Sequence, residues 1–278
     1  PSPTDTAVFP AAMNARVTLS GDVAIAKLTL QGGTSVIAGT EGATLTITSN
    51  LEASNNTTIE FTDGLVVTVP QFRFRGGSNK HLTLSNGAKA YVQECNLDNG
   101  SEFTIDNARL QTSSNNWLPY GNGAISCTIR FKGKNPVWYN SGTSAQFGIN
   151  GSSEYGDYVF EIPVGGFAEP PLQTVSGANA FGVRSTGTTG SLRMSVDPDS
   201  PAFAEDCEFD QTLVAWSAKG VNSTVVVPGT TSTKTGNSIT VNATNVVAHL
   251  VAYRDPGALY VVGEPAAFAA GGLPAYGV

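Results

Sequence analysis

Short runs of alternating apolar and polar residues recur along the first 110 residues, most of them followed by turn residues. Val17-Thr18-Leu19 precedes Ser-Gly, Leu28-Thr29-Leu30 precedes Gln-Gly-Gly, and Ile59-Glu60-Phe61 precedes Thr-Asp-Gly. Leu45-Thr46-Ile47, Val67-Thr68-Val69, Phe72-Arg73-Phe74, Leu82-Thr83-Leu84 and Phe103-Thr104-Ile105 repeat the form. Alternation with period two is the mark of a strand with one buried face. It predicts that Leu28, Leu30, Leu45, Ile47, Phe61, Leu82, Leu84 and Ile105 point inward and that Thr29, Thr46 and Thr83 point outward. No segment of a dozen residues keeps apolar positions at helical spacing without Gly, Pro or clustered Thr, so the chain reads as all-β.

Two all-β architectures compete for such a pattern. Sandwiches and barrels pair strands of five or six residues as hairpins, whereas a β-solenoid stacks strands of three to five residues on their equivalents one coil away. The motifs here are short, polar in the middle and spaced by roughly 8 to 21 residues, which favours the solenoid. Asn and Gly after the strands suit tight corners, where φ must be positive. Even coils of about 22 residues would give about 12 coils and a rod of roughly 55–60 Å.

The second half is less regular. Residues 1–115 read as regular solenoid coils. Residues 116–262 read as later coils with larger loops, or as a separate small β-domain, and residues 263–278, rich in Ala, Gly and Pro, read as a linker into another module. The opening Pro-Ser-Pro-Thr-Asp resembles the far side of such a junction, so the chain is expected to be a segment of something larger.

Composition narrows the job. Only 13% of the 278 residues are charged, about half the usual share. The net charge of −7 argues against a phosphate-binding surface, and nucleic acid is not an expected partner. Phe72-Arg73-Phe74-Arg75 is the one basic–aromatic cluster, and two arginines on one strand face explain it. No apolar run approaches the ~20 residues of a membrane-spanning helix, so membrane insertion is not expected. Cys95, Cys127 and Cys207 lie far apart, outside any C-x-x-C pair, and read as small buried hydrophobes rather than zinc ligands.

Candidate chemistry is sparse. His81 and His249 are the two histidines, and no G-x-S-x-G elbow accompanies them. The densest acidic stretch holds Asp197, Asp199, Glu205, Asp206, Glu208 and Asp210. Carboxylate oxygens at the spacing of the first four could ligate calcium, the one cofactor considered. The stretch lacks the D-x-D-x-D-G loop of an EF-hand and the G-G-x-G-x-D repeat of calcium-binding solenoids, and a solvated loop is the simpler reading. Glu154, Asp157 and Glu161 form a looser group. Trp117, Tyr120, Trp138, Tyr139, Tyr155 and Tyr158 cluster among Asn and Gly. They form either a surface on which sugar rings stack or aromatic packing beneath long loops.

Asp5-Thr-Ala-Val-Phe9, the run 17–33 and the run 42–50 together resemble bacterial secreted and surface proteins built from autotransporter-associated β-strand repeats. The resemblance covers about 40% of the chain and implies a right-handed parallel β-helix, secreted or on the cell surface. It brings no catalytic residues. The expectation is a non-catalytic structural or adhesive module, with neighbouring modules, glycans or a host surface as partners. The alternative is a carbohydrate-active enzyme, a polysaccharide lyase or glycoside hydrolase, on the same scaffold. A trimeric phage fibre is a third reading.

Overall fold

The computed structural model describes residues 1–40, 42–74, 78–97, 99–114, 116–117, 125–141, 147–149, 154–174, 181–183, 191–197, 199–201, 210–218, 223–226, 238–241, 246–253 and 259–263. Their elements are strands with almost no helix, arranged as a parallel β-solenoid of two sheets. One sheet runs through β1 (Thr6–Phe9), β3 (Val23–Leu30), β5 (Thr44–Ala53), β7 (Val66–Phe74), β9 (Lys89–Leu97), β11 (Arg109–Thr112), β14 (Val137–Asn140), β17 (Leu172–Thr174) and β20 (Asp210–Ala218). The other runs through β2 (Ala15–Leu19), β4 (Gly33–Gly39), β6 (Thr57–Thr62), β8 (Lys80–Ser85), β10 (Ser101–Asp106), β13 (Ile125–Lys132), β16 (Glu154–Phe160), β19 (Ser191–Val196) and β21 (Ser223–Val226). The chain alternates between these two rows of strands, with β12 (Asn116–Trp117), β15 (Phe147–Ile149) and β18 (Phe181–Val183) as additional short strands of the first sheet, and each strand pairs with one a coil earlier.

Two corners join the sheets, and their chemistry is local. Asn56 and Asn79 take φ of 54° and 58° at one corner, and Asp63, Asn86 and Asn107 take 57°, 47° and 48° at the other. Short side chains with a nearby acceptor are the non-glycine residues that tolerate this region. The corners also stack: Asn79 Nδ2 donates to Asn56 Oδ1 at 3.0 Å, and Asn107 Oδ1 accepts from the backbone N–H groups of Lys134 and Asn135 at 2.6 and 3.1 Å.

The interior is a set of side-chain columns. Leu45, Val67, Ala90, Leu110, Trp138 and Leu172 occupy successive rungs of the first sheet, all buried. Ile37, Phe61, Leu84, Ile105, Phe131 and Phe160 do the same in the second. Aromatic rings knit the sheets together. Phe61 stacks on Phe72 at 6.4 Å, Phe72 meets Phe103 edge-on at 6.4 Å, and Phe103 lies 6.0 Å from Trp138. All eight apolar residues expected inside are buried, and Thr29, Thr46 and Thr83 face outward with partial exposure. Cys95 and Cys127 are buried thiols as expected; Cys207 lies outside the described residues.

Coil length is not even. Lys27 pairs with Asn50 and Lys89 with Arg109, 23 and 20 positions on, but Arg109 pairs with Val137 28 positions on and Leu172 with Val214 42 positions on. The later coils spend residues on loops, so the count of about 12 coils from an even repeat is too high. Strands β5, β7 and β9 are also longer than the expected three to five residues, because each bends and continues past its corner; in β5 the register shifts between Thr46 and Asn50. The parallel stack ends in antiparallel pairs: β21 with β22 (Ser238–Val241), and β20 with β23 (Val246–Tyr253), which pairs with β24 (Leu259–Gly263). Too few residues separate Val226 from Ser238 for another coil, so the chain turns back on itself.

Candidate functional site

The outward residues form columns as regular as the inward ones. Thr46, Thr68, Tyr91, Gln111, Tyr139 and Gln173 follow one another across β5, β7, β9, β11, β14 and β17. Two positions further along each of the first four strands, at or just beyond the bend, stand Thr48, Pro70, Gln93 and Ser113. Between these two columns lies a groove of about 390 Å³ that crosses four rungs and runs along the solenoid axis. Its outward lining is hydroxyl, amide, Pro70 and the Tyr91 ring, over a floor of Ile47, Val69 and Val92; among the described residues no carboxylate or amine lines it. Tyr91 is 40% exposed, one of the few large hydrophobic side chains so placed among the described residues. Beyond the groove, Tyr139 continues the column and carries the Arg109 guanidinium 5.4 Å from its ring centroid, within cation–π range.

Past the bend, the same sheet presents a charged ladder. Lys27 Nζ lies 2.5 Å from Glu52 Oε2, and Arg73 Nη1 lies 3.9 Å from Glu52 Oε1. Asn50 also donates to Glu52, Arg73 to Gln71, and Gln71 Nε2 to Glu94 Oε2 at 2.7 Å. The Lys27 ammonium holds the Glu52 carboxyl below its usual range, with help from the Asn50 amide and against partial burial. A recess of about 300 Å³ beside it is lined by Thr29, Glu52, Ala53, Ser54 and Arg73. The second sheet shows a parallel case: Arg130 Nη1 bonds Asp197 Oδ2 at 2.7 Å and its Nε lies 3.8 Å from Glu102, while Lys132 Nζ lies 3.3 Å from Glu161. These carboxylates are held by cations rather than converging on a shared space.

The aromatic cluster proposed from sequence is divided by strand register. Trp138 and Tyr158 are both fully buried, which removes the reason for reading them as a surface on which sugars stack. Trp138 lies between Leu110 and Leu172 and donates Nε1–H to Thr112 Oγ1 at 3.0 Å inside the core. Tyr158 continues the inward column Ile59, Leu82, Phe103, Ile129. Tyr139, one residue after Trp138, is therefore on the outer face. The backbone of Trp117 in β12 (Asn116–Trp117) pairs with Asn96, and that of Tyr155 with Ser126 and Ser191; their side chains, and all of Tyr120, lie outside the described residues.

Of the acidic stretch, Asp197 is engaged by Arg130 and its Oδ1 accepts the Asp199 N–H at 3.0 Å, as in an Asx turn. Asp199 is exposed, and Glu205 and Asp206 lie outside the described residues. Among the described residues no three His, Cys, Asp or Glu side chains gather as a metal site would require. His81 is at the surface with Nε2 2.9 Å from Asn79 Oδ1; His249 lies on β23, its side chain outside the described residues. Phe72 and Phe74 are buried, leaving Arg73 outward in the charged ladder.

Tyr91, Gln93 and Gln111 were missed in the sequence. Tyr91 and Gln111 lie outside the recurring motifs, and only the strand register aligns them with Thr46 and Thr68. Comparison of the chain with protein-family models, with curated proteins and with solved structures finds no match.

Proposed function

We propose that the chain is a non-catalytic structural and adhesive module of a large secreted or cell-surface bacterial protein, in which a stack of coils projects and presents an uncharged outer face. The observation that carries this reading is the disposition of the carboxylates. Glu52, Glu161 and Asp197 each sit beside a Lys or Arg on an outer sheet face, and the groove across β5, β7, β9 and β11 is lined, among the described residues, without a carboxylate or an amine. Glycoside cleavage needs two carboxyl groups facing across one bond, one able to donate a proton. The charge-poor, Thr-, Asn- and Gly-rich surface fits a scaffold whose rungs place like residues ~4.8 Å apart, where stacked like charges would repel.

The test is incubation with a panel of neutral and acidic polysaccharides, followed by assays for reducing ends and unsaturated products. No release is expected. Sustained turnover lost on Asp197→Asn or Glu161→Gln would overturn the non-catalytic reading in favour of a lyase or hydrolase.

A further inference from the structure

We propose that the groove across β5, β7, β9 and β11 binds a neutral glycan chain laid along the solenoid axis, with Tyr91 as its stacking platform. This deepens the adhesive reading above by giving it a site and a ligand class. Three features point to that ligand. The first is chemical: Thr46, Thr48, Thr68, Gln93, Gln111 and Ser113 offer hydroxyl and amide groups, which pair with sugar hydroxyls as donor and acceptor at once. The described residues of this lining carry no side chain charged at neutral pH, which removes the usual anchor for an acidic sugar, a phosphate or a charged peptide.

The second is the ring. Tyr91 is 40% exposed although its rung neighbours Thr68 and Gln111 supply no apolar partner of similar size. An exposed aromatic face costs contact with water and gains when the apolar face of a pyranose covers it. The third is direction. Equivalent outward residues repeat once per rung, ~4.8 Å apart, so the groove offers a repeating set of contacts along its length. A polymer of repeating sugar units can use each rung in turn, whereas a β-strand peptide would need backbone partners that the paired sheet does not leave open. Tyr139 extends the column one rung beyond the groove and would serve as a further contact for a longer chain. This site is separate from Trp138 and Tyr158, which are core.

The experiment measures binding of the whole chain to neutral hexasaccharides of glucose, mannose, galactose and xylose, with hexagalacturonate as the charged control, by calorimetry and by glycan array. At least one neutral hexamer is expected to bind, and to bind better than its dimer. Tyr91→Ala should raise its Kd at least tenfold, Tyr91→Phe should retain binding, and Thr68→Arg should block it. Both Tyr91 and Thr68 are exposed, so an unchanged circular dichroism spectrum and melting temperature are expected and must accompany any loss. The proposal is overturned if no neutral glycan binds, if Tyr91→Ala binds as well as the parent, or if the charged control binds best. Cleavage of a bound glycan would leave the site standing and remove the non-catalytic reading instead; absence of both binding and cleavage would remove the site and leave the scaffold.

Discussion

Leu45 and Thr46 are neighbours in sequence and lie on opposite sides of one strand. Leu45 is 3% exposed, between Val23 and Val67 in its inward column; Thr46 lines the outer groove. Leu45→Asp would bury a charge with no partner, at an effective cost of several kcal/mol against a total stability of about 5–15 kcal/mol. Loss of soluble expression is expected, while Thr46→Asp should express and melt close to the parent. Equal expression of the two would mean that the register is misassigned. Buried ionisable groups act at the same scale. Burial pushes the Cys95 thiol well above its ordinary range, with the Glu94 charge adding to the effect, and burial pushes the Tyr158 hydroxyl up likewise. Both stay neutral in the folded chain while the unfolded chain ionises them above about pH 8.5 and about pH 10. Their contribution to stability is therefore complete below about pH 8.5 and lost as pH rises beyond it. The melting temperature should fall between pH 8 and pH 11, and Cys95→Ser, Tyr158→Phe and their combination should flatten that fall relative to neutral pH. In the native protein Cys95 should resist iodoacetamide at pH 8 and react after denaturation.

The strand and the corner are the next scale. Trp138 fills a position that holds Leu in the rungs to either side and meets Phe103 of the opposite sheet. Trp138→Ala should cost about 3–5 kcal/mol of unfolding free energy in a denaturant titration, the range for a large aromatic lost from a core. A change below about 1 kcal/mol would show that the ring is not packed there. At the corner, Gly133 has φ of 77°, and a Cβ placed on it would lie 2.2 Å from the Asn107 side chain. That side chain cannot yield freely, since its Oδ1 holds the N–H groups of Lys134 and Asn135. Gly133→Ala combines backbone strain of about 1–3 kcal/mol with displacement of those bonds, and a lower denaturant midpoint should report it.

Across the whole molecule, each coil is stabilised by the coils beside it. The central coils of β5 to β9 have near-uniform length, full neighbours on both sides and a core with almost no exposure. β1 is an edge with one partner, and Val8 on it is 49% exposed. Hydrogen exchange should therefore be slowest in peptides from residues 44–97 and fastest at residues 6–9, in a graded rather than uniform pattern. Uniform protection along the chain would contradict nearest-neighbour stacking. Arg130 and Asp197 are 67 residues apart in sequence and joined across the outer face, so the later coils remain tied to the earlier ones despite their long loops.

What the sequence determined by itself is what depends on nearest neighbours along the chain. Period-two alternation assigns Leu28, Leu45, Phe61 and Leu84 to the interior because successive side chains on a strand must face opposite ways. Asn and Asp after the strands mark the corners because they tolerate positive φ. Tertiary structure decided the rest, because it depends on which coil lies above which. Trp138 and Tyr139 are adjacent and equally aromatic, and only the pairing with Leu110 and Gln111 places one inside and the other outside. Asp197 is set among other acids in the sequence, and only the stacking of coils brings Arg130, 67 residues earlier, to it. The groove exists because Thr46, Thr68, Tyr91 and Gln111, spaced 20 to 23 residues apart, are stacked at one rung spacing by the backbone ladder. No local rule fixes that register, because it is set by the lengths of the coils between.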